Sequence, residues 1–278
     1  MWAARRRVLT GFFLAAAAFL STPANSATNW SWANPAPQGN YLNASATGGG
    51  ISVAVGNGGS VYADAGDGWL AQTSGTTNNL HAVAFGAGLF VAVGSSNTLI
   101  TSNDGVNWTA ASVTGSTQDL NSVAYGNGIF VVAGSNGIVF TSTDGGATWV
   151  ATGDFGQTVT VTSVVFGCGK FVALTHDSGN SASAVFYSDD GTVWQSANIP
   201  APAADPPIDA AFNGTLFVAM GVNADGISGA SIMTSDDGIN WTTQAPLLPA
   251  TASPISITAN GSTFVIMLES AVSNAAVT

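Results

Sequence analysis

Along most of the chain, short runs of apolar and small residues are cut by glycine, asparagine and aspartate pairs, and the same cadence returns about every forty residues. Set "LHAVAFGAGLFVAVGSSNTLITSNDGVNW" from Leu80 over "LNSVAYGNGIFVVAGSNGIVFTSTDGGATW" from Leu120, and nearly every apolar position coincides. The unit recurs as "VTSVVFGCGKFVAL" with "VFYSDDGTVW", and as "IDAAFNGTLFVAMG" with "SIMTSDDGINW". A degenerate copy, "LNASATGGGISVAVG" with "VYADAGDGW", precedes these, and a half-copy, "ISITANGSTFVIML", follows. Trp69, Trp108, Trp149, Trp194 and Trp241 mark unit ends at spacings of 39, 41, 45 and 47 residues. A period of this size means a stacked or radial array.

Each unit holds four apolar, β-branched segments; in the second they run roughly over 80–85, 89–93, 97–102 and 107–111. "GAG", "GNG", "GCG" and "NGT" between the first two segments are hairpin signals, because glycine and asparagine accept the positive φ of tight hairpin turns. Four-stranded units around an axis are β-propeller blades. A right-handed β-solenoid is the runner-up, but its repeats are shorter and lack this punctuation. Six units carry the first two strands, starting near Leu42, Leu80, Leu120, Val161, Ile208 and Ile255, and only five carry a tryptophan-bearing last strand. The N-terminal "TNWSWANP" resembles "INWTTQAP" of the fifth unit. Paired with the last blade as its outermost strand, it closes the ring and removes edges that invite aggregation. The expected fold is therefore all-β, a six-bladed β-propeller of four-stranded antiparallel blades forming a single domain over residues 27–278. Five and seven blades are the alternatives, because insertions blur the later units.

The opening "MWAARRRVLTGFFLAAAAFLSTPANSA" has three arginines, an apolar run from Val8 to Leu20 and then small residues, the order of a secretory signal peptide. Residues 1–26 are expected to be removed, with cuts after Ala24 or Ala27 as alternatives. Arg5-Arg6-Arg7-Val8-Leu9 also resembles a twin-arginine export signal, although an ordinary Sec signal is the favoured reading. No cysteine follows the apolar run to carry a lipid, and no later segment reaches the roughly 18 apolar residues of a membrane helix. The mature protein is expected to be secreted or periplasmic, monomeric and not inserted in the membrane. Its single cysteine, Cys168, leaves the fold to packing and hydrogen bonds.

The three arginines are the only ones in the chain and Lys170 is the only lysine, so the mature protein sets fifteen acids against one lysine. Nucleic acid is excluded as a partner, since phosphate binding needs lysine and arginine to displace counterions. Anionic membrane surfaces are disfavoured for the same reason. The apolar fraction is too high for disorder.

One motif closes four of the units: Ser102-Asn103-Asp104-Gly105-Val106-Asn107-Trp108, Ser142-Thr143-Asp144-Gly145-Gly146-Ala147-Thr148-Trp149, Ser188-Asp189-Asp190-Gly191-Thr192-Val193-Trp194 and Ser235-Asp236-Asp237-Gly238-Ile239-Asn240-Trp241. These resemble the Asp-box, or BNR, repeat of the sialidase-like β-propellers, S-x-D-x-G-x-x-W. Only the 142–149 copy has that spacing in full; the others are one residue shorter. The likeness spans nearly all of the mature chain and implies the propeller fold. An aspartate at the head of a turn accepts backbone N–H groups just ahead of it, glycine supplies the turn conformation, and tryptophan buries a large apolar surface. Four copies favour a structural role over a catalytic one. One carboxylate per turn is too few for calcium, which takes 6–8 oxygens, so no cofactor is expected and only the Asp-Asp copies merit a calcium test.

In a four-stranded meander the first and third turns share one end, here the short hairpins and Asp-boxes. The second turns and the blade-to-blade connections share the other and vary in length: "THDSGNSAS", "GVNADGISGAS", "NIPAPAADPP" and "APLLPATASP". Binding usually resides in variable loops on a rigid scaffold. The candidate binding face therefore collects Asp154, His176, Asp177, Asp205, Asp209 and Asp225, together with Asp119 and Glu269. His81 aligns with Asn43, Asn121 and Thr162 as one member of a polar ring. The sialidase resemblance implies three arginines for a carboxylate substrate and a tyrosine nucleophile paired with glutamate. The mature chain has no arginine and a single glutamate, so sialidase activity is not expected. The expected function is an exported, non-enzymatic binding or scaffold module for an unidentified protein or polar ligand. The alternative is a glycoside hydrolase or lyase using a loop aspartate pair.

Overall fold

A computed structural model of the chain describes residues 40–178, 182–200, 207–222, 230–244 and 253–269. The first sheet comprises β1 (Leu42–Gly48), β2 (Ile51–Gly56), β3 (Val61–Asp64) and β4 (Leu70–Gln72); the second, β5 (Leu80–Gly86), β6 (Leu89–Gly94), β7 (Thr98–Ser102) and β8 (Thr109–Ala111). The third holds β9 (Leu120–Gly126), β10 (Ile129–Gly134), β11 (Ile138–Ser142) and β12 (Val150–Asp154); the fourth, β13 (Val159–Gly167), β14 (Lys170–Asp177), β15 (Ala182–Ser188) and β16 (Gln195–Ser196). The fifth has β17 (Pro207–Phe212), β18 (Phe217–Val222), β19 (Ala230–Ser235) and β20 (Thr242–Gln244), and the sixth only β21 (Ser253–Asn260) and β22 (Thr263–Glu269). All are antiparallel meanders in chain order, and the second sheet's strands fall within two residues of the expected segments. The signal peptide at 1–26 and the closing strand expected at 28–35 lie outside the described residues.

The inner strands pack side by side, β1 on β5, β5 on β9, β9 on β13, β13 on β17 and β17 on β21, as a radial array requires. The core is divided among the five wedges between these neighbours. Alternation puts one face of β6, β10, β14 and β18 into the wedge ahead and the other into the wedge behind, so these strands read as nearly continuous apolar runs. Phe90, Phe130, Phe171 and Phe217, at one register position in successive second strands, are fully buried. Trp108, Trp149, Trp194 and Trp241 each enter the wedge between their own sheet and the preceding one.

Two devices lock neighbouring inner strands. Each of the first four ends in glycine, Gly48, Gly86, Gly126 and Gly167, and the ring of Phe85, Tyr125, Phe166 or Phe212 from the next sheet lies where a Cβ would stand. These rings pack in turn on the buried phenylalanines, with centroids 4.6, 4.6, 4.8 and 4.5 Å apart. The second device is a side-chain bond to the next inner strand: Asn43 donates to the Leu80 carbonyl (2.8 Å), Asn121 to Val161 (3.0 Å) and Thr162 to Pro207 (3.0 Å). His81 does the same through Nδ1 to the Leu120 carbonyl (3.0 Å). A carbonyl only accepts, so Nδ1 carries a proton; in the neutral ring Nε2 then accepts from the Ser95 hydroxyl at 3.1 Å.

The pattern weakens at the ends of the array. Asn213 stands where the glycine would meet the sixth sheet, and Ala259, paired with Phe264, replaces the ring. On the first sheet's outward face, Ser45, Thr47 and Ser52 occupy the register positions of Val83, Phe85 and Phe90. Thr47 and Ser52 bond each other at 3.0 Å, and no packing comparable to that of the other inner strands joins β21 to β1 among the described residues.

Candidate binding face

The first turns of the sheets and the Asp-boxes form one end of the array. Ala87-Gly88, Asn127-Gly128 and Cys168-Gly169 all have positive φ at both central residues, the backbone of a type I′ hairpin. In each Asp-box the serine hydroxyl donates to the aspartate Oδ1: Ser102 to Asp104 at 3.0 Å, Ser142 to Asp144 at 2.7 Å, Ser188 to Asp190 at 3.1 Å and Ser235 to Asp237 at 3.0 Å. The same oxygen accepts backbone N–H groups ahead of it, from Val106 and Asn107 in the first box and from Ile239 and Asn240 in the last. The tryptophan Nε1 then donates to the box glycine's carbonyl, Trp108 to Gly105, Trp194 to Gly191 and Trp241 to Gly238. In the eight-residue box this last bond is missing: Trp149 Nε1 is buried without a partner among the described residues, so the copy with the full motif spacing is the less completely satisfied one.

The box glycine serves two needs at once. Gly105, Gly191 and Gly238 have φ of 68°, 72° and 74°. A Cβ would also come within 2.9 Å of Val53, 2.6 Å of Val131 and 2.9 Å of Val172 respectively, each on the second strand of the preceding sheet. The box thus fastens its own turn and seats the blade on its neighbour.

This bonding holds the box carboxylates ionised. The Asn107 backbone N–H, with the Asn107 side chain and the Val106 N–H, keeps Asp104 well below the usual range, and Thr148 through its hydroxyl and N–H does the same for Asp144. Asp190 is brought to about 2, chiefly by the Thr192 and Val193 N–H groups. At Asp237 burial pushes upward, but the Asn240 and Ile239 N–H groups outweigh it and the value falls to about 2. Since the folded values lie below the unfolded carboxylate value of about 4, this stability is present above that pH and is lost as pH falls toward 2. Thermal melts should fall steeply below about pH 4, and Asp104→Asn should make that fall shallower. An identical acid profile in the variant would show that the box does not govern it.

The opposite end gathers the connections between sheets, and in the first three sheets these are bonded down. The backbone N–H of Asn57 donates to the Tyr41 carbonyl, that of Ser95 to Asn79, that of Asn97 to Gln118 and that of Ser135 to Asp119. Asp119 Oδ1 accepts the Ser96 N–H at 2.8 Å, tying a second turn to the connection that leads to the next sheet. Asp154 ends β12, and its Oδ1 accepts the Gly156 N–H at 2.7 Å. His176 and Asp177 end β14, and His176 Nδ1 is buried with no partner among the described residues. Glu269 ends β22, whereas Asp205 and Asp225 lie outside the described residues.

Asp209 is placed differently from the loop site expected for it. It sits within β17, between the fourth, fifth and sixth sheets, and its carboxylate accepts from Ser163 Oγ (3.0 Å), the Ala210 N–H (2.9 Å), Ser256 Oγ (2.9 Å) and the Ile257 N–H (3.0 Å). Burial pushes its pKa up against the pull of those four donors. The carboxylate ties the fifth sheet to the fourth and the sixth, and the fifth and sixth sheets lack the ring-and-glycine contact.

Comparison with known proteins decides the family. The family model of the DUF6242 beta propeller domain matches residues 45–267. The chain belongs to this family. No curated protein matches it. Solved structures similar to this DUF6242 domain include virginiamycin B lyase from Staphylococcus aureus, with a TM-score of 0.65 at 12% identity over 81% of this chain and 77% of that one. YCF48 bound to D1 peptide gives 0.59 at 14%, over 83% and 76%, and the GH74 enzyme of Niastella koreensis 0.60 at 14%, over 81% and 44%. At such identities the likeness establishes the fold alone. A lyase, a peptide-binding protein and a glycoside hydrolase family member therefore share this architecture with the DUF6242 domain.

Sequence reasoning missed the bridging role of Asp209 in the DUF6242 domain, though a signal existed. In the aligned inner strands Asp209 occupies the position of Ser122 and Ser163, and both serines bond to the next sheet: Ser122 Oγ accepts the Val164 N–H, and Ser163 reaches Asp209 itself. A polar residue repeated at one register position points to a contact between repeats. Among the described residues no cluster of three or more His, Cys, Asp or Glu is arranged to hold a metal ion.

Proposed function

We propose that the chain is an exported, non-enzymatic, six-bladed β-propeller that acts as a binding or scaffold module through the polar, acidic loops opposite its Asp-boxes. The observation that carries this reading is the employment of its acids. Asp104, Asp144, Asp190 and Asp237 hold the Asp-box turns, Asp119 and Asp154 accept backbone N–H groups in the connections, and Asp209 bridges sheets through four donors. A general acid or nucleophile must present its carboxyl to substrate, whereas these are spent on the fold. The leader-like N-terminus supports export, and the near absence of lysine and arginine points the face toward a neutral, polar or cationic partner.

The test uses residues 27–278 in two arms. The loops expected at 175–184 and 221–231 are strand at their ends, so partners retained by the wild-type protein are compared with those retained by a variant shortened only between β14 and β15, within 178–181, and between β18 and β19, within 223–229; loss of a specific partner with an unchanged melt is expected. Full retention would place binding elsewhere. In the second arm the protein is assayed against a panel of polysaccharides and glycosides, with no turnover expected. Turnover abolished by Asp154→Asn, Asp177→Asn, Asp205→Asn or Asp225→Asn would overturn the non-enzymatic reading.

A further inference from the structure

The connection from β4 to β5 departs from those that follow it. After each of the next three sheets the connecting chain packs an apolar side chain against a wedge, Val113, Phe155 and Ile199 in turn. The first connection, "TSGTTNN" at 73–79, has no apolar side chain to send, and Thr73 is exposed. The turn beside it differs as well. In the second sheet Asn97 Nδ2 donates to the Val113 carbonyl at 3.0 Å and ties turn to connection. Gly59 stands at the matching position of the first sheet, with φ of 72° against 60° for Asn97, and a Cβ there would collide with the Thr76 carbonyl. The result is an open hollow of about 630 Å³, lined by Gly59 and by residues 72–78, at the end of the array that gathers the connections. Its lining is uncharged and consists of hydroxyls, amides and glycine. Part of it is spent on rigidity. Ser74 is buried, donates its hydroxyl to the Thr76 carbonyl (3.1 Å) and accepts the Thr76 N–H (3.3 Å). Thr76 Oγ1 accepts the Asn78 N–H (3.1 Å), and Asn78 Nδ2 donates to Thr98 Oγ1 (2.8 Å). The hydroxyls of Thr73 and Thr77 and Gln72 Oε1 have no partner among the described residues.

We propose that this hollow binds a neutral sugar unit, with the Thr73 and Thr77 hydroxyls and the Gln72 amide oxygen as its free hydrogen-bonding groups. A hydroxyl both donates and accepts, which matches the hydroxyls of a sugar. The uncharged lining gives a phosphate, carboxylate or ammonium group nothing to pair with, and the lack of an apolar wall gives a lipid or flat aromatic ligand nothing to pack on. The volume falls within the range of about 300–1,000 Å³ typical of small-ligand sites. A connection already held by its own hydrogen bonds presents these groups with little further ordering on binding. The assignment rests on the binding role proposed above and gives it a ligand class, in a different sector of the face from the 178–181 and 223–229 loops.

The test titrates isotope-labelled protein, residues 27–278, with cellotriose, xylotriose, mannotriose and triacetylchitotriose, and follows the backbone amide signals by NMR. At least one of the four should shift the Gly75, Thr76 and Thr77 signals selectively. Thr73→Val combined with Thr77→Val should weaken that binding by about tenfold or more with an unchanged melt, as the loss of two neutral hydrogen bonds implies. Competition by the matching soluble polysaccharide would assign an internal unit of a glycan chain, and its absence a free sugar or chain end; both support the site. The variant shortened within 178–181 and 223–229 should bind the trisaccharide as the wild type does, so failure of the hollow and failure of the loop-based reading are seen in different proteins. No shift at residues 72–78 with any of the four up to about 10 mM would overturn the proposal, as would undiminished binding by the double variant.

Discussion

Phe130→Ala is expected to destabilise the protein by about 3–5 kcal/mol, the range for truncating a fully buried phenylalanine. The side chain has no exposed surface and fills the wedge between the second and third sheets, with the Tyr125 ring 4.6 Å away and the Trp149 ring 6.1 Å away. Neither ring is free to collapse into the cavity: Tyr125 is held against Gly86 of the preceding sheet, and Trp149 follows the hydrogen-bonded Asp-box. The measurement is the midpoint of urea unfolding against wild type, with Val106→Ala, 45% exposed in an Asp-box turn, as the control expected within about 0.5 kcal/mol. A loss under about 1 kcal/mol would mean that the wedge closes around the gap. A reduced urea slope would show the wedges unfolding in steps, as repeat arrays do when coupling between neighbours fails.

The second large effect comes from adding one methyl group. Gly126 ends β9 with no positive φ, so its backbone tolerates any residue, yet its missing side chain is the seat of the Phe166 ring. Gly126→Ala forces that ring outward, away from Phe171 and out of the wedge between the third and fourth sheets, at a cost of about 3 kcal/mol or more. Gly128, two residues on, reverses the logic: its φ is 81° and nothing lies within 4 Å of an added Cβ. Gly128→Ala therefore pays only for left-handed backbone, about 1–2 kcal/mol. The pair separates a packing requirement from a conformational one within a single hairpin, and equal losses would show that the ring contact contributes nothing beyond turn strain.

Much of the fold was legible because the repeat presents each decision several times. The alignment of Leu80–Trp108 with Leu120–Trp149 gave the strands and their turns to within two residues, and the sequence likeness among Asp104, Asp144, Asp190 and Asp237 was enough to read them as turn fasteners. His81, the aligned partner of Asn43, Asn121 and Thr162, proved to share their inter-sheet bond. The candidate face was less legible. Asp119 and Asp154 read as loop acids, but whether a loop carboxylate is offered to solvent or folded back on a backbone N–H depends on local chain direction, which composition does not carry. Asp209 was misplaced because its partners are 46 to 48 residues away in sequence, Ser163 behind it and Ser256 and Ile257 ahead.

Sequence by itself determined what repeats: strand number and order within a unit, the hairpin and Asp-box turns, and the inward placement of the Asp-box tryptophans. Each of these depends on neighbours within one unit or on a pattern shared by several. Tertiary structure alone decided how the units meet. It made the inner-strand glycines sockets for rings from the next sheet, set Asp209 as a carboxylate bridge between sheets that lack the socket, and left serine and threonine on the first sheet's outward face where the second sheet carries valine and phenylalanine. These features arise at interfaces between units, where the deciding contact is made by a residue some forty positions away and a single copy offers no pattern to compare.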